Sequence, residues 1–226
     1  MNIAYNMDCL EAMRKMQDNE FDLAVVDPPY GGGSDADAEK TFNVATVGRF
    51  GGRFDKYIKA ERTGGTWAEK YGKDIKHWDV APSKEYFDEL FRVSKNQIIW
   101  GGNYFPLPPT RCFLIWKKLT ISENFTMAMA EYAWTSLNEN AKVFECAPQD
   151  PTRFHPTQKP VALYAWIFNR YAKPGYKILD THLGSGSSRI AAYDAGLDFV
   201  GYEIDKEYFD KQEERFAAYT AQTRLF

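Results

Sequence analysis

Three cysteines, Cys9, Cys112 and Cys146, are all that this 226-residue chain contains. The number is odd and no two stand in C-x-x-C spacing, which excludes a disulfide framework and a zinc site and fits a reducing cytoplasm. No apolar run approaches the length of a membrane span, and the amino-terminus carries no basic-then-apolar leader. The expectation is a soluble, cytoplasmic protein with no membrane attachment. Charge of one sign is also missing in excess, with a net charge of −3 and a pI of about 5.7. Any nucleic-acid site must therefore be a local basic patch on a neutral-to-acidic body. Internal repeats and low-complexity tracts are absent as well.

What is present is a globular composition. Hydrophobic residues make up 44% and charged residues 26%, which argues against a disordered chain. The length suits one domain spanning 1–226, or one domain with a large insertion. Aromatic content is high at 16%, so most rings belong to the core and some are available to stack on a planar ligand.

The first strong signal is Asp27-Pro28-Pro29-Tyr30. It closes the apolar run Phe21-Asp22-Leu23-Ala24-Val25-Val26, a buried strand stopped by two prolines that cannot donate to a sheet. In open α/β sheets ligands bind at the carboxyl ends of the strands, where this tetrapeptide falls. The prolines restrict the backbone, so the Asp27 carboxylate and neighbouring carbonyls can converge on one small volume. Two acceptors so placed suit an exocyclic amino nitrogen of adenine or cytosine, whose lone pair is delocalised into the ring. Accepting its two hydrogens favours the pyramidal nitrogen of the transition state, and Tyr30 can stack on the base. The plain alternative is a proline turn with a solvated aspartate.

Before that motif, residues 3–7 read as a strand and the segment from Cys9 to Met16 as a helix. Asp8 is either the N-cap of that helix or a strand-end carboxylate facing a cofactor. After it, the stretch 31–80 is rich in glycine and shows no apolar periodicity, the pattern of a functional or mobile insertion. Between Arg49 and Arg62 it carries Arg49, Arg53, Lys56, Lys59 and Arg62, interleaved with Phe50, Phe54 and Tyr57. That mixture suits phosphate contact with stacking on unpaired bases, and equally a solvated surface helix.

An amphipathic helix is expected from Pro82 to Val93, with Tyr86, Phe87, Leu90 and Phe91 on one face. A strand, Gln97-Ile98-Ile99-Trp100, follows and ends in Gly101-Gly102-Asn103-Tyr104. Here either a ligand or a tight turn explains the glycines. Strands at 112–116 and 131–135 read as an antiparallel edge of the same sheet. A proline-rich connection, 147–160, leads into a helix over 161–171.

The second strong signal is Ile178-Leu179-Asp180-Thr181-His182-Leu183-Gly184-Ser185-Gly186, a strand, an acid and a glycine turn, followed by a helix. Glu203 closes the next strand about twenty residues on, where an acid meets ribose hydroxyls. A dinucleotide site would want a third glycine at 189, where the chain has arginine. The pattern therefore points to a nucleoside ligand without a pyrophosphate.

With these landmarks in place, and with His155-Pro156-Thr157-Gln158-Lys159-Pro160 between them, the chain resembles the S-adenosylmethionine-dependent DNA amino-methyltransferases whose motifs are permuted. The catalytic tetrapeptide then precedes the cofactor turn. The resemblance covers nearly all of the chain except 31–80. It implies an α/β, Rossmann-like class I methyltransferase fold, a mostly parallel seven-stranded sheet with an antiparallel edge. The Asp180 and Glu203 strands would be central, the amino-terminal strand outside them, and the Asp27 and Trp100 strands on the other side.

By the same resemblance Glu203 holds the ribose and Asp8 faces the adenine end of the cofactor. Asp180, Gly184, Ser185 and Gly186 line its methionine end, and Thr157, Gln158 and Lys159 close over it. Asp27, Pro28, Pro29 and Tyr30 grip the target base, and no metal is required. An aspartate at the head of the tetrapeptide is more typical of adenine-N6 than of cytosine-N4 members. None of the cysteines follows a proline, so the nucleophile of cytosine carbon-5 enzymes is missing. The implied substrate is DNA, with the base turned out of the stack. Because little chain is left for a separate recognition region, sequence choice falls to the 31–80 insertion, a homodimer or a partner protein. A nucleic-acid-binding module without catalysis is the rival of a different class.

Overall fold

The apolar runs read as strands assemble into one sheet. The computed structural model describes residues 1–30, 80–123 and 128–222. The chain divides into two compact units, residues 1–28 with 83–226, and residues 29–82. The second takes in the glycine-rich stretch. Arg49, Arg53, Lys56, Lys59 and Arg62, proposed to touch DNA, lie outside the described residues. The architecture that follows is that of the first unit.

Its strands are β1 (Asn2–Asn6), β2 (Leu23–Val26), β3 (Gln97–Trp100), β4 (Phe113–Lys118), β5 (Ala130–Thr135), β6 (Lys142–Cys146), β7 (Lys177–Asp180) and β8 (Asp198–Glu203). They lie in the order β1-β8-β7-β2-β3-β5-β4-β6. The first five in that order pair in parallel, as expected for the central strands and the amino-terminal one.

Two details depart from the expectation. Among the described residues the sheet has eight strands rather than seven, and the reversal placed at its edge is confined to β5. That strand runs against both of its neighbours, β3 and β4, while β6 pairs in parallel with β4 and forms the true edge. Lys142-Val143-Phe144-Glu145-Cys146 hides its strand because apolar and polar letters do not alternate along it. Tertiary contacts fix it instead: Lys117 bridges to Glu145 at 2.7 Å, and Phe144 lies 5.2 Å from the Trp166 ring.

The helices are α1 (Cys9–Met13), α2 (Lys84–Val93), α3 (Val161–Tyr171), α4 (Ser187–Asp194) and α5 (Lys206–Ala221). Sequence caps start three of them. Asp8 accepts the Glu11 N–H at 3.0 Å, Ser83 that of Tyr86 at 3.3 Å, and Asp205 those of Glu207 and Tyr208 at 2.9 and 3.1 Å.

Leu23, Val25, Ile98 and Trp100 join Leu163, Tyr164, Ile167 and Phe168 of α3 and Ala191 and Ala192 of α4 in one core. Ala24, Val26 and Ile99 alternate with those strand residues and are equally buried, so the sheet is covered on both faces. On the second face Phe91 of α2 packs edge-on against Trp134, and Arg92 donates to the Met13 carbonyl at the end of α1 and the Met16 carbonyl beyond it. Covering both faces leaves the strand ends as the place for chemistry.

After β3 the glycines serve the fold. A Cβ on Gly102 would stand 2.4 Å from that of Trp134, so the turn can pass over β5 only without a side chain. Asn103 and Tyr104 are exposed in the turn.

Candidate active site

Parallel pairing carries the sequence-predicted acids to one rim. Asp180 ends β7, Glu203 ends β8, Asp27 directly follows β2 and Asp8 follows β1. The register supports this: Asn6 pairs with Glu203, Asp180 with Gly201, and Ala24 with Leu179. Asp27 is close enough to Asp180 to add to the cost of ionising the Asp180 carboxyl. Pro28 belongs to the same unit, whereas Pro29 and Tyr30 open the second one.

The turn between β7 and α4 is held by its own acids. Gly184 and Gly186 take φ of 52° and 75°, a region that disfavours other residues. Glu203 accepts the N–H of Gly184 at 2.8 Å and of Asp205 at 2.9 Å; burial pushes its carboxyl up against those donors. Asp180 accepts from Ser188 Oγ at 2.5 Å and from the His182 N–H at 3.0 Å. Burial dominates there, raising its carboxyl to about 7. Arg189, in the place of a third glycine, turns away to Asn2, Gln212 and Glu213. With Asp180 and Glu203 at its rim and Arg189 turned away, the turn is rich in acceptors, which suits a neutral or cationic nucleoside better than a pyrophosphate.

The segment from His155 to Lys159 lies against this turn. The His155 ring is buried, 4.3 Å from that of Tyr208, and a Cβ on Gly184 would meet it at 3.4 Å. The Thr157 N–H donates to His155 Nδ1 at 3.3 Å. Gln158 donates to Asp150 at 2.8 Å, and Arg215 of α5 reaches the Ser185 carbonyl at 2.9 Å and Ser187 Oγ at 3.0 Å. Side chains from two parts of the chain, His155 and Arg215, therefore hold the glycine turn from outside.

Lys159 departs from its expected company. Its ammonium is ion-paired to Asp27 and lies 3.1 Å from Glu131, which in turn pairs with Lys118 at 2.6 Å. Burial would push Glu131 up, but the two lysines outweigh it and hold the carboxyl at about 2. Burial likewise works against the Lys159 charge, and Asp27 and Glu131 more than restore it.

Sequence reasoning passed over Glu131 and Lys118. A signal was available: Lys118 continues the buried phase of Leu114 and Trp116, and Glu131 that of Ala133 and Thr135. It also missed the chain in which Tyr86 Oη meets Thr181 Oγ at 2.6 Å and that hydroxyl meets His182 Nδ1 at 2.9 Å. Burial lowers His182 to about 4, so the ring is neutral.

Comparison with known proteins agrees with this geometry. Residues 115–214 match the family of N6/N4 DNA methylases, described as DNA methylase. The chain is 25% identical over 232 residues to the putative methylase YubD of Escherichia coli K12, covering 93% of this chain and 88% of that protein. Among solved structures it is similar to TTHA0409, a putative DNA modification methylase from Thermus thermophilus crystallised with S-adenosyl-L-methionine. That likeness has a TM-score of 0.54 at 16% identity and covers 99% of this chain and 98% of the other. It is also similar to the cytosine-N4-specific PvuII DNA methyltransferase, with a TM-score of 0.59 at 12% identity, covering 100% and 88%. These likenesses establish the fold as the α/β methyltransferase one, its sheet mostly parallel.

Proposed function

We infer that the chain is an S-adenosylmethionine-dependent DNA amino-methyltransferase, and that its target is the N6 amino group of adenine. The observation that carries this reading is the shared rim: Asp27 follows one parallel strand, and Asp180 with its glycine turn ends the neighbouring one. A nucleophile held at the first and a cofactor held at the second are then within reach of each other.

S-adenosylmethionine, when bound, supplies an electrophilic sulfonium methyl group. Glu203 would hold its ribose hydroxyls, since a carboxylate with one N–H on each oxygen keeps further acceptor capacity. Asp8, which also caps α1, would face the adenine end, and Asp180, Gly184, Ser185 and Gly186 would line the methionine end. Thr157 and Gln158 back that turn through His155 and Asp150.

Asp27 accepts one hydrogen of the target amino group and the Pro28 carbonyl the other. This concentrates the lone pair on nitrogen and stabilises the positive charge that grows there as the carbon–nitrogen bond forms. Tyr30 provides the stacking surface. The excess proton leaves the nitrogen after transfer, with Asp27 as the nearest acceptor.

Arg49, Arg53, Lys56, Lys59 and Arg62 remain the candidates for phosphate contact, and sequence choice rests on the insertion, a homodimer or a partner. The permuted motif order, and a place in a restriction-modification pair, belong to the same reading. Cytosine-N4 methylation is the second reading, favoured by the likeness to the PvuII enzyme. Incubation of DNA with methyl-tritiated cofactor, followed by digestion to nucleosides, decides between them. Label in N6-methyldeoxyadenosine is expected. Label in N4-methyldeoxycytidine would replace the first reading by the second, and unlabelled DNA beside normal cofactor binding would leave a binding module.

A further inference from the structure

Four charged side chains alternate along the rim next to the tetrapeptide: Asp27, Lys159, Glu131 and Lys118. They come from four places. Asp27 follows β2, Lys159 precedes α3, Glu131 is the second residue of β5, and Lys118 is the last of β4. They meet because β5 runs backwards. Its beginning therefore lies beside the carboxyl ends of β3 and β4, with Ala133 opposite Trp100 and Glu131 opposite Trp116. The Lys159 side chain is only 3% exposed, and its ammonium also stands 5.4 Å from the Trp100 ring centroid.

Burial at this depth makes each charge depend on the next. A lysine paired to Asp27 alone would cancel the negative charge that an amino group needs from its acceptor. Glu131 on the other side draws the ammonium between two anions, and Lys118 balances Glu131 in turn. Asp27 is thereby fixed in place without losing its character as an acceptor.

We propose that Lys159 is a positioning residue for methyl transfer, holding the carboxylate of Asp27 toward the target amino group with Glu131 as its anchor. The proposal rests on the methyltransferase reading above and assigns Lys159 to the acceptor side of the reaction rather than to the cofactor. Without Lys159 two carboxylates would face each other in a buried site, and one of them would take up a proton. Among the described residues, the other titratable groups facing Asp27 are two phenols and an acid. Tyr86 from α2 and Tyr164 from α3 are buried phenols pushed well above 10, and Asp180 from β7 is an acid.

The test measures kcat against pH for DNA methylation, together with affinity for S-adenosylhomocysteine by calorimetry. It uses the full chain as wild type, Lys159→Met, Lys159→Arg and the double variant Lys159→Met/Glu131→Gln. For Lys159→Met, kcat is expected to fall about 100-fold and the acidic limb of its profile to move up by about one pH unit or more. Affinity for S-adenosylhomocysteine stays within about three-fold of wild type, since a residue on the acceptor side adds nothing to cofactor binding. Lys159→Arg should keep the wild-type limb, and the double variant should bring the limb back by removing the facing carboxylate. Asp180 titrates in all four proteins, so differences between them report the Asp27 side.

An unmoved limb in Lys159→Met overturns the positioning role alone, as does a loss of cofactor affinity that matches the loss of kcat. A wild-type protein that binds S-adenosylhomocysteine and methylates no DNA overturns the underlying function and the proposal with it.

Discussion

Glu203 and Gly184 are joined across the rim by a hydrogen bond of 2.8 Å from the glycine N–H to the carboxylate. The residue assigned to the ribose is thus also the residue that holds the glycine turn in shape. On that assignment, cofactor binding depends on the geometry of the turn, which the two Glu203 oxygens hold through the N–H groups of Gly184 and Asp205.

Glu203→Ala should therefore weaken S-adenosylhomocysteine binding by about 50-fold, the worth of roughly one hydrogen bond to a charged group. It should also lower the melting temperature in the absence of ligand, because the N–H groups of Gly184 and Asp205 lose their acceptor. Calorimetry and thermal denaturation check both. Weaker binding with an unchanged melting temperature would show that the carboxylate does not support the turn.

Replacement of Asp27 acts on the chemistry. Asp27→Asn keeps shape and removes charge, and should lower kcat by about 1,000-fold with cofactor affinity within a few-fold, as for loss of a charged transition-state partner. Asp27→Ala should be at least as slow and also less stable, because it strips the Lys159 ammonium of one of its two anions. Single-turnover methyl transfer and chemical denaturation read the two effects. Equal losses of turnover and cofactor affinity would make Asp27 a structural acid.

Asp180 gives a pH dependence of defined sign. Its carboxyl keeps a proton up to about 7 in the folded chain against 3.8 for the ordinary group. Between those values the folded state binds more protons than the unfolded one, so stability present at low pH is lost as pH rises toward 7 and beyond. From pH 5 to pH 8 this loss amounts to roughly 2–3 kcal/mol by linkage. Asp180→Asn should not show it, and urea denaturation of both proteins at the two pH values would reveal the difference. Parallel losses in the two proteins would refute the assignment.

Gly102 tests the fold and not the site. An alanine there must displace Trp134, whose Cβ would be 2.4 Å and whose backbone nitrogen 3.1 Å from the new methyl. A destabilisation of about 2–3 kcal/mol is expected from overpacking against a strand, with cofactor affinity unchanged. Denaturant titration gives the value, and a neutral substitution would mean that β5 yields easily.

The sequence alone determined what is local or strictly periodic. The proline stop after Val26, the glycine turn before Ser187, the cap at Asp8 and the apolar runs that became the central strands all follow from backbone restriction and from local pattern. Their order along the chain also told which strand ends carry acids, and parallel pairing is enough to bring those acids to one rim. Tertiary structure alone decided the rest. β6 has no alternating pattern and exists because β4 and Trp166 receive it. Lys159 sits in a motif whose neighbours pin the cofactor turn, yet its ammonium belongs to Asp27, 132 residues away. That choice depends on the reversal of β5, which delivers Glu131 to the rim. An antiparallel edge was expected, but which of its strands reverses is set by the packing of the whole sheet, and no short stretch of letters contains it.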